Sequence, residues 1–311
     1  MRRTIVSLTV VVGVLGGAGL KPAPAASIAR TAQEPARPTF RADSDLVVLR
    51  INVTNRSGGP VSTLRQDDFI VYEDGRPQPI SFFSNEDVPV TVGLVIDNSS
   101  SMGTKRYQVI TAALAFANAS HADDELFVVH FNEHIRDGLP SDQPFTNDPH
   151  VLRSALLHVG AAGRTALYDA VGYALAYLER GRHDVKILLV LSDGRDNASA
   201  TTFDELAAKA AASDAVIYTV GLFEQSDPDA NPGVLKRLAR LSGGDAFVPG
   251  DVDDVIPLLQ RIAHEIRTAY TIGYVPINPK RDGVFRKLRV SVRESGRDLR
   301  VRHREGYIPG R

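Results

Sequence analysis

The chain of 311 residues contains no cysteine, which excludes disulfides, thiolate catalysis, thiolate zinc sites and iron–sulfur clusters. It also lacks a marked excess of either charge, its formal net charge being −1. Beyond the first 20 residues no apolar run approaches the roughly 20 residues that cross a bilayer. No G-x-S-x-G elbow and no phosphate-binding P-loop follows the leader. What is present is ordinary globular composition, 43% hydrophobic and 23% charged, with 25 Gly and 18 Pro. Such a chain buries a real core, as one large or two medium domains of about 100 to 200 residues.

Arg2 and Arg3 precede an apolar run over 5–20, and Ala23-Pro24-Ala25 offers a small-x-small cleavage pattern. Residues 1–26 therefore read as a signal peptide, and the protein is expected to be exported: periplasmic, cell-surface or secreted. A membrane enters only if the leader stays as an uncleaved anchor, a reading that Lys21 keeps open. The Gly-rich string over 13–19 lies inside the leader and follows no folded strand, so it is not a nucleotide loop. Residues 27–39, rich in Ala, Pro and Arg, read as a linker. Removing the leader leaves 33 basic against 37 acidic side chains. Residues 278–311 alone hold eleven Lys/Arg against four Asp/Glu, so the remainder is acidic and no dedicated nucleic-acid binder is expected.

From residue 40 to 88 the pattern is β: strands over 46–53, 69–72 and 80–83, separated by turn residues such as Glu73-Asp74-Gly75. At Pro89 strands begin to alternate with helices. The strands cover 91–96, 125–131, 185–191, 215–222 and 246–248, and the helices 105–119, 149–158, 166–180, 203–213, 233–241 and 252–268. After Tyr270 the pattern returns to strands over 270–275, 285–292 and 299–303. Alternation of this kind implies a doubly wound, mostly parallel α/β sheet over 89–268. An isolated strand pair is marginal in water, so 40–88 and 269–311 are expected to form one small discontinuous β domain around it. In the last strands Lys287, Arg289 and Arg293 alternate with Leu288, Val290 and Val292, while Arg300, Arg302 and Arg304 oppose Leu299 and Val301. The pair reads as a hairpin with a solvated basic face; an anionic surface or the acidic α/β unit is the other occupant such a face would suit.

Ligands of open α/β sheets bind outside the carboxyl ends of the strands. Three loops at such ends carry oxygen donors: Asp97-Asn98-Ser99-Ser100-Ser101, Gly163-Arg164-Thr165 and Ser192-Asp193-Gly194. Taken singly these are helix caps and turn residues. Together, two carboxylates and three hydroxyls with no soft ligand suit a hard divalent cation, Mg²⁺, Mn²⁺ or Ca²⁺.

Asp97-x-Ser99-x-Ser101, then Thr165, then Asp193-Gly194, resemble the metal-ion-dependent adhesion site of von Willebrand factor type A (VWA) domains in order and spacing. The resemblance covers about residues 90–268. Phe69-Ile70-Val71-Tyr72-Glu73-Asp74-Gly75, Thr165-Ala166-Leu167-Tyr168-Asp169-Ala170 and Gly306-Tyr307 are similar to an exported bacterial family related to it. The resemblance implies a VWA/Rossmann-like sheet in which Ser99, Ser101 and Thr165 bind the ion directly, with Asp97 and Asp193 acting through water or from behind them. It implies a binding or adhesion protein rather than an enzyme, its protein partner supplying an Asp or Glu carboxylate. Arg164 departs from the pattern, since many relatives have Gly there, and this bears on the backbone freedom of the loop.

Two enzymatic readings compete. His130-Phe131-Asn132-Glu133-His134 matches an inverted zinc-peptidase motif, which needs a helix; residues four apart are about 6 Å apart on a helix but about 13 Å apart on a strand, and Leu126-Phe127-Val128-Val129 is a β run. Asp97 as an aspartyl nucleophile of a phosphatase, or as part of a metal-assisted hydrolase, is the alternative at the same sheet end. Phosphatases of that kind place a second carboxylate two residues on, where this chain has Ser99, and no convincing general base accompanies the loops. The Asn-x-Ser/Thr triplets at Asn52, Asn55, Asn98, Asn118 and Asn197 are chance matches, and a glycan on Asn98 would block the site.

Overall fold

A computed structural model describes residues 46–223, 230–293 and 298–309. The leader, the linker and the first residues of the β segment, 40–45, lie outside the described residues. The described residues fall within one unit, Ser44–Arg311. Strands β1 (Val47–Thr54), β2 (Phe69–Glu73), β3 (Arg76–Gln78) and β4 (Ile80–Ser84) come first. The α/β series then runs β5 (Val90–Asp97), α1 (Arg106–Asn118), β6 (Glu125–Phe131), β7 (Ile135–Asp137), α2 (Pro149–Leu157), α3 (Leu167–Leu178) and β8 (Val185–Ser192). It continues with α4 (Phe203–Ala212), β9 (Val216–Gly221), α5 (Pro232–Ser242), β10 (Ala246–Phe247) and α6 (Val255–Arg267). The chain closes with β11 (Tyr270–Tyr274), β12 (Arg286–Val292), β13 (Arg300–Arg302) and β14 (Gly306–Tyr307).

The α/β strands form one six-stranded sheet in the order β10-β9-β8-β5-β6-β7, parallel throughout except for β7. Every residue of β5 is buried, as a strand covered by helices on both faces must be. Gly93 sits where β5 is crowded from both neighbours: a Cβ there would come within 2.4 Å of Phe127 and 2.6 Å of Leu188. The helices close the faces with Val109, Phe116, Leu178, Leu206, Leu238 and Leu259. Helix starts follow capping chemistry; Thr202 and Glu205 form a reciprocal box at α4, and Asn231 caps α5.

The remaining strands make two four-stranded sheets, β13-β1-β11-β4 and β14-β12-β2-β3, that share a core of Leu49, Ile51, Val71, Tyr270, Ile272 and Leu288. Each joins early and late sequence, since β1 pairs with β11 and β13 while β2 pairs with β12.

The structure departs from the sequence reading in three places. β3, β7 and β14 are two or three residues long, too short to show an alternation. Residues 252–254 form a 3-10 turn, so α6 starts three residues later than periodicity suggests, while a second 3-10 turn over 100–105 precedes α1. The basic strands are not a hairpin: β12 and the three-residue β13 lie in different sheets. Nor do their arginines all face solvent. Arg302 reaches Asp245 at 2.5 Å and Glu265 at 2.6 Å, and Arg304 reaches Asp214 at 2.7 Å, all three acids belonging to the α/β layer.

Candidate functional site

The site lies at the carboxyl ends of β5 and β8, which are adjacent in the sheet. Asp97 is the last residue of β5, and Asp193 follows the last residue of β8, so sheet pairing alone brings the two carboxylates to one edge. Both are buried. Ser99 N donates to Asp97 Oδ1 at 2.8 Å, turning the loop back over its own strand. Ser101 Oγ donates to Asp193 Oδ2 at 2.6 Å, and Ser99 Oγ lies 3.1 Å from Ser101 Oγ. The single hydroxyl proton of Ser101 is thus committed to a carboxylate, so Ser99 is the donor of the second contact. A chain of hydrogen bonds connects Asp97, Ser99, Ser101 and Asp193.

Among the described residues no hydrogen bond joins Thr165 directly to those four. Loop contacts hold it nearby: Ala162 N donates to Asn98 O, and Ser100 N to Gly163 O. Gly163 takes the left-handed conformation with φ of 82°, whereas Arg164 does not, so its backbone does not call for glycine. Arg164 N donates to Glu133 Oε2 at 2.8 Å. Thr165 itself is clamped on both sides of its peptide, Thr165 N to Asn197 Oδ1 at 2.8 Å and Asn197 N to Thr165 O at 2.9 Å.

Several participants escape a reading of sequence alone. Ser192 Oγ donates to Asp97 Oδ2 at 2.6 Å, and Arg195 Nε lies 3.3 Å from Asp193 Oδ2. Ser192, Arg195 and Asn197 all stand within four residues of Asp193; Arg195 contacts it locally, whereas Ser192 and Asn197 gain their roles only by tertiary contact with Asp97 and Thr165. Burial pushes the Asp97 carboxyl up to about 6; bonds from Ser192 and Ser99 oppose the rise, and the Asp193 charge adds to it.

His130 lies on β6, buried, and His134 past the strand's end, so the two do not share a helix face. The His130 ring is bonded at both nitrogens, Nδ1 to Asn98 Nδ2 and Nε2 to Ala155 O, each at 2.9 Å. Because the carbonyl only accepts, Nε2 carries the proton and Nδ1 accepts from the amide. Desolvation pushes His130 down to about 4.

The donor set fits a hard cation. Ser101 directs its proton away into Asp193, which leaves a hydroxyl lone pair for a metal, and Asp97 is a buried carboxylate bonded to neutral donors.

No curated protein matches the sequence. Among solved structures, a von Willebrand factor type A protein from Catenulispora acidiphila is 13% identical with a TM-score of 0.51, covering 86% of this chain and 75% of that one. BatB from Bacteroides thetaiotaomicron is 16% identical with a TM-score of 0.45, covering 57% of this chain and 97% of that one. Proximal thread matrix protein 1 from the mussel byssus is 15% identical with a TM-score of 0.47, covering 58% of this chain and 48% of that one. The chain therefore spans about half the length of the mussel protein. At these identities the likeness is one of fold. The family model of the von Willebrand factor type A domain matches residues 91–262, more than half of the chain, and with the parallel sheet it settles the family: the chain belongs to the von Willebrand factor type A domain family.

Proposed function

We propose that the protein is an exported binding or adhesion module that takes a protein partner through a divalent cation held by Asp97, Ser99, Ser101, Thr165 and Asp193. The observation that carries this reading is the bonded cluster of Asp97, Ser99, Ser101 and Asp193 at two adjacent strand ends. Ser99, Ser101 and Thr165 would supply neutral oxygens, and the two aspartates would hold those hydroxyls or bound waters in place. Mg²⁺ and Mn²⁺ suit this set best, with Ca²⁺ as the looser fit. Such an ion would supply an open coordination position and Lewis acidity to an outside carboxylate. The partner is therefore a protein presenting Asp or Glu, and the loops around the site set its identity.

A hydrolytic reading gains nothing from His130, the histidine bonded to the first loop, because both its ring nitrogens are engaged. Export rests on the basic and apolar leader over 1–20. Among the described residues no helix is long and apolar enough to cross a membrane.

The test is capture of partners from the exported fraction on the immobilised chain, with Mg²⁺ and with chelator. Partners that release on chelation and fail to bind Thr165→Ala support the reading. A partner retained equally in both conditions and by the variant would show that recognition uses another surface.

A further inference from the structure

Four of the five proposed ligands sit within four residues of the ends of β5 and β8. Thr165 stands instead between α2 and α3, so its place depends on what holds residues 162–166. Asn197, in the loop after β8, fixes the Thr165 peptide. The residues just past β6 hold the rest. Asn132 Nδ2 donates to Ala162 O at 3.0 Å and Asn132 O accepts from Ala166 N at 2.8 Å, gripping the loop at both ends. Glu133 takes its middle, where Oε2 accepts from Arg164 N at 2.8 Å. The same carboxylate lies against the backbone of Gly163, where a Cβ would overlap it. Position 163 therefore calls for glycine twice, for its left-handed φ and for the room the acid takes. Bonds from its own N–H and from Arg164 N hold the Glu133 carboxyl below the usual carboxylate range, so the group that grips the loop is ionised.

We propose that Glu133 is a positioning residue for the metal: its carboxylate seats the 163–165 turn and so fixes Thr165 as the third hydroxyl ligand. The proposal rests on the metal-bridged reading above and adds to it a residue that acts without touching the ion. No helix or strand orders this turn, and a turn already seated spares an incoming ion the entropy of ordering it. Groups that orient ligands in this way commonly carry about tenfold or more of a site's affinity. The bond is made to a backbone N–H, so it does not depend on the Arg164 side chain. A carboxylate can also attract a cation by charge alone. The two roles part on substitution, because Gln keeps the acceptor and loses the charge.

Calorimetric titration of Mn²⁺ at fixed ionic strength would compare wild type with Glu133→Ala, Glu133→Gln and Arg164→Ala. Glu133→Ala should bind Mn²⁺ about tenfold more weakly than wild type. Glu133→Gln and Arg164→Ala should stay close to wild type. In a proton–nitrogen correlation spectrum of the metal-free protein, the Arg164 amide proton should move upfield in Glu133→Ala and stay near its place in Glu133→Gln, while the metal-free melting temperature is unchanged in both. Three results would overturn the role of Glu133 and leave the metal site in place: wild-type affinity in Glu133→Ala, equal weakening in Glu133→Ala and Glu133→Gln, or a fall in metal-free melting temperature that tracks the loss of affinity. Absence of saturable Mn²⁺ binding in wild type and variants alike would overturn the metal-bridged reading, and this inference with it.

Discussion

Glu73 at the end of β2 and Arg286 at the start of β12 form an ion pair at 3.0 Å with both side chains buried, across 213 residues of sequence. Tyr274 and Tyr307 donate to the other oxygen of Glu73 at 2.7 and 2.8 Å, so four strands from both ends of the chain meet on one carboxylate. Removing one member strands a buried charge. Glu73→Ala should cost about 3 to 5 kcal/mol in urea unfolding, and Glu73→Gln somewhat less, because its one amide oxygen can still accept from both tyrosines. A loss below 1 kcal/mol would show that the network is incidental to stability.

The same interleaving governs truncation. Without 269–311, β1 loses both neighbours, β11 and β13, and β2 loses β12. We propose that the early and late strands fold only together. A fragment of residues 40–88 alone should therefore give the narrow amide dispersion of an unfolded chain in a proton–nitrogen correlation spectrum. Wide dispersion would contradict the proposed discontinuous domain.

Acid stability should reveal two opposed titrations in the metal-free protein. His130, held near 4 against an ordinary 6.5, is neutral in the fold while the unfolded chain takes up a proton. Its contribution is complete above about 6.5 and is lost as pH falls towards 4, about 3 kcal/mol in all. Asp97, raised to about 6 against an ordinary 3.8, acts in the other direction: it takes up its proton in the fold first, so its burial penalty is relieved between 6 and 4. Asp97→Asn removes that relief. The variant should lose stability more steeply than wild type from pH 6 to 4, by about 3 kcal/mol at the lower end. Parallel curves would show that Asp97 titrates normally.

Asn197 should matter to metal binding without touching metal. Its Oδ1 accepts from Thr165 N, fixing the residue proposed to supply the third hydroxyl. Asn197→Ala should weaken Mn²⁺ binding by about tenfold, as the loss of groups that orient ligands commonly does, and Asn197→Asp, which keeps the acceptor, should restore most of it. Equal affinity in all three proteins would show that the Thr165 loop holds itself.

The sheet is legible in the sequence because β5 and β8 are mostly apolar runs that lead into aspartates, Asp97 as the last residue of β5 and Asp193 directly after β8. The positions of Asp97 and Asp193 at one sheet edge are legible for the same reason, whereas Thr165 lies between two helices, where no strand end marks it. What surrounds these donors is not legible, because it depends on which loop lands on which. Ser192 reads as a turn residue until the sheet places it on Asp97, and Glu133 reads as part of a histidine motif until Arg164 N is found on its carboxylate. Arg302 alternates like a solvent-facing residue, yet its acceptors Asp245 and Glu265 lie 57 and 37 residues away and no local pattern marks them.

Calorimetric titration of Mg²⁺ or Mn²⁺ into the metal-free chain and into Asp97→Ala decides whether Asp97, Ser99, Ser101, Thr165 and Asp193 hold a divalent cation. Saturable one-site binding below millimolar metal is expected in wild type, and its loss in the variant. Absence of saturable binding in wild type, or unchanged binding in Asp97→Ala, would contradict the five-residue site.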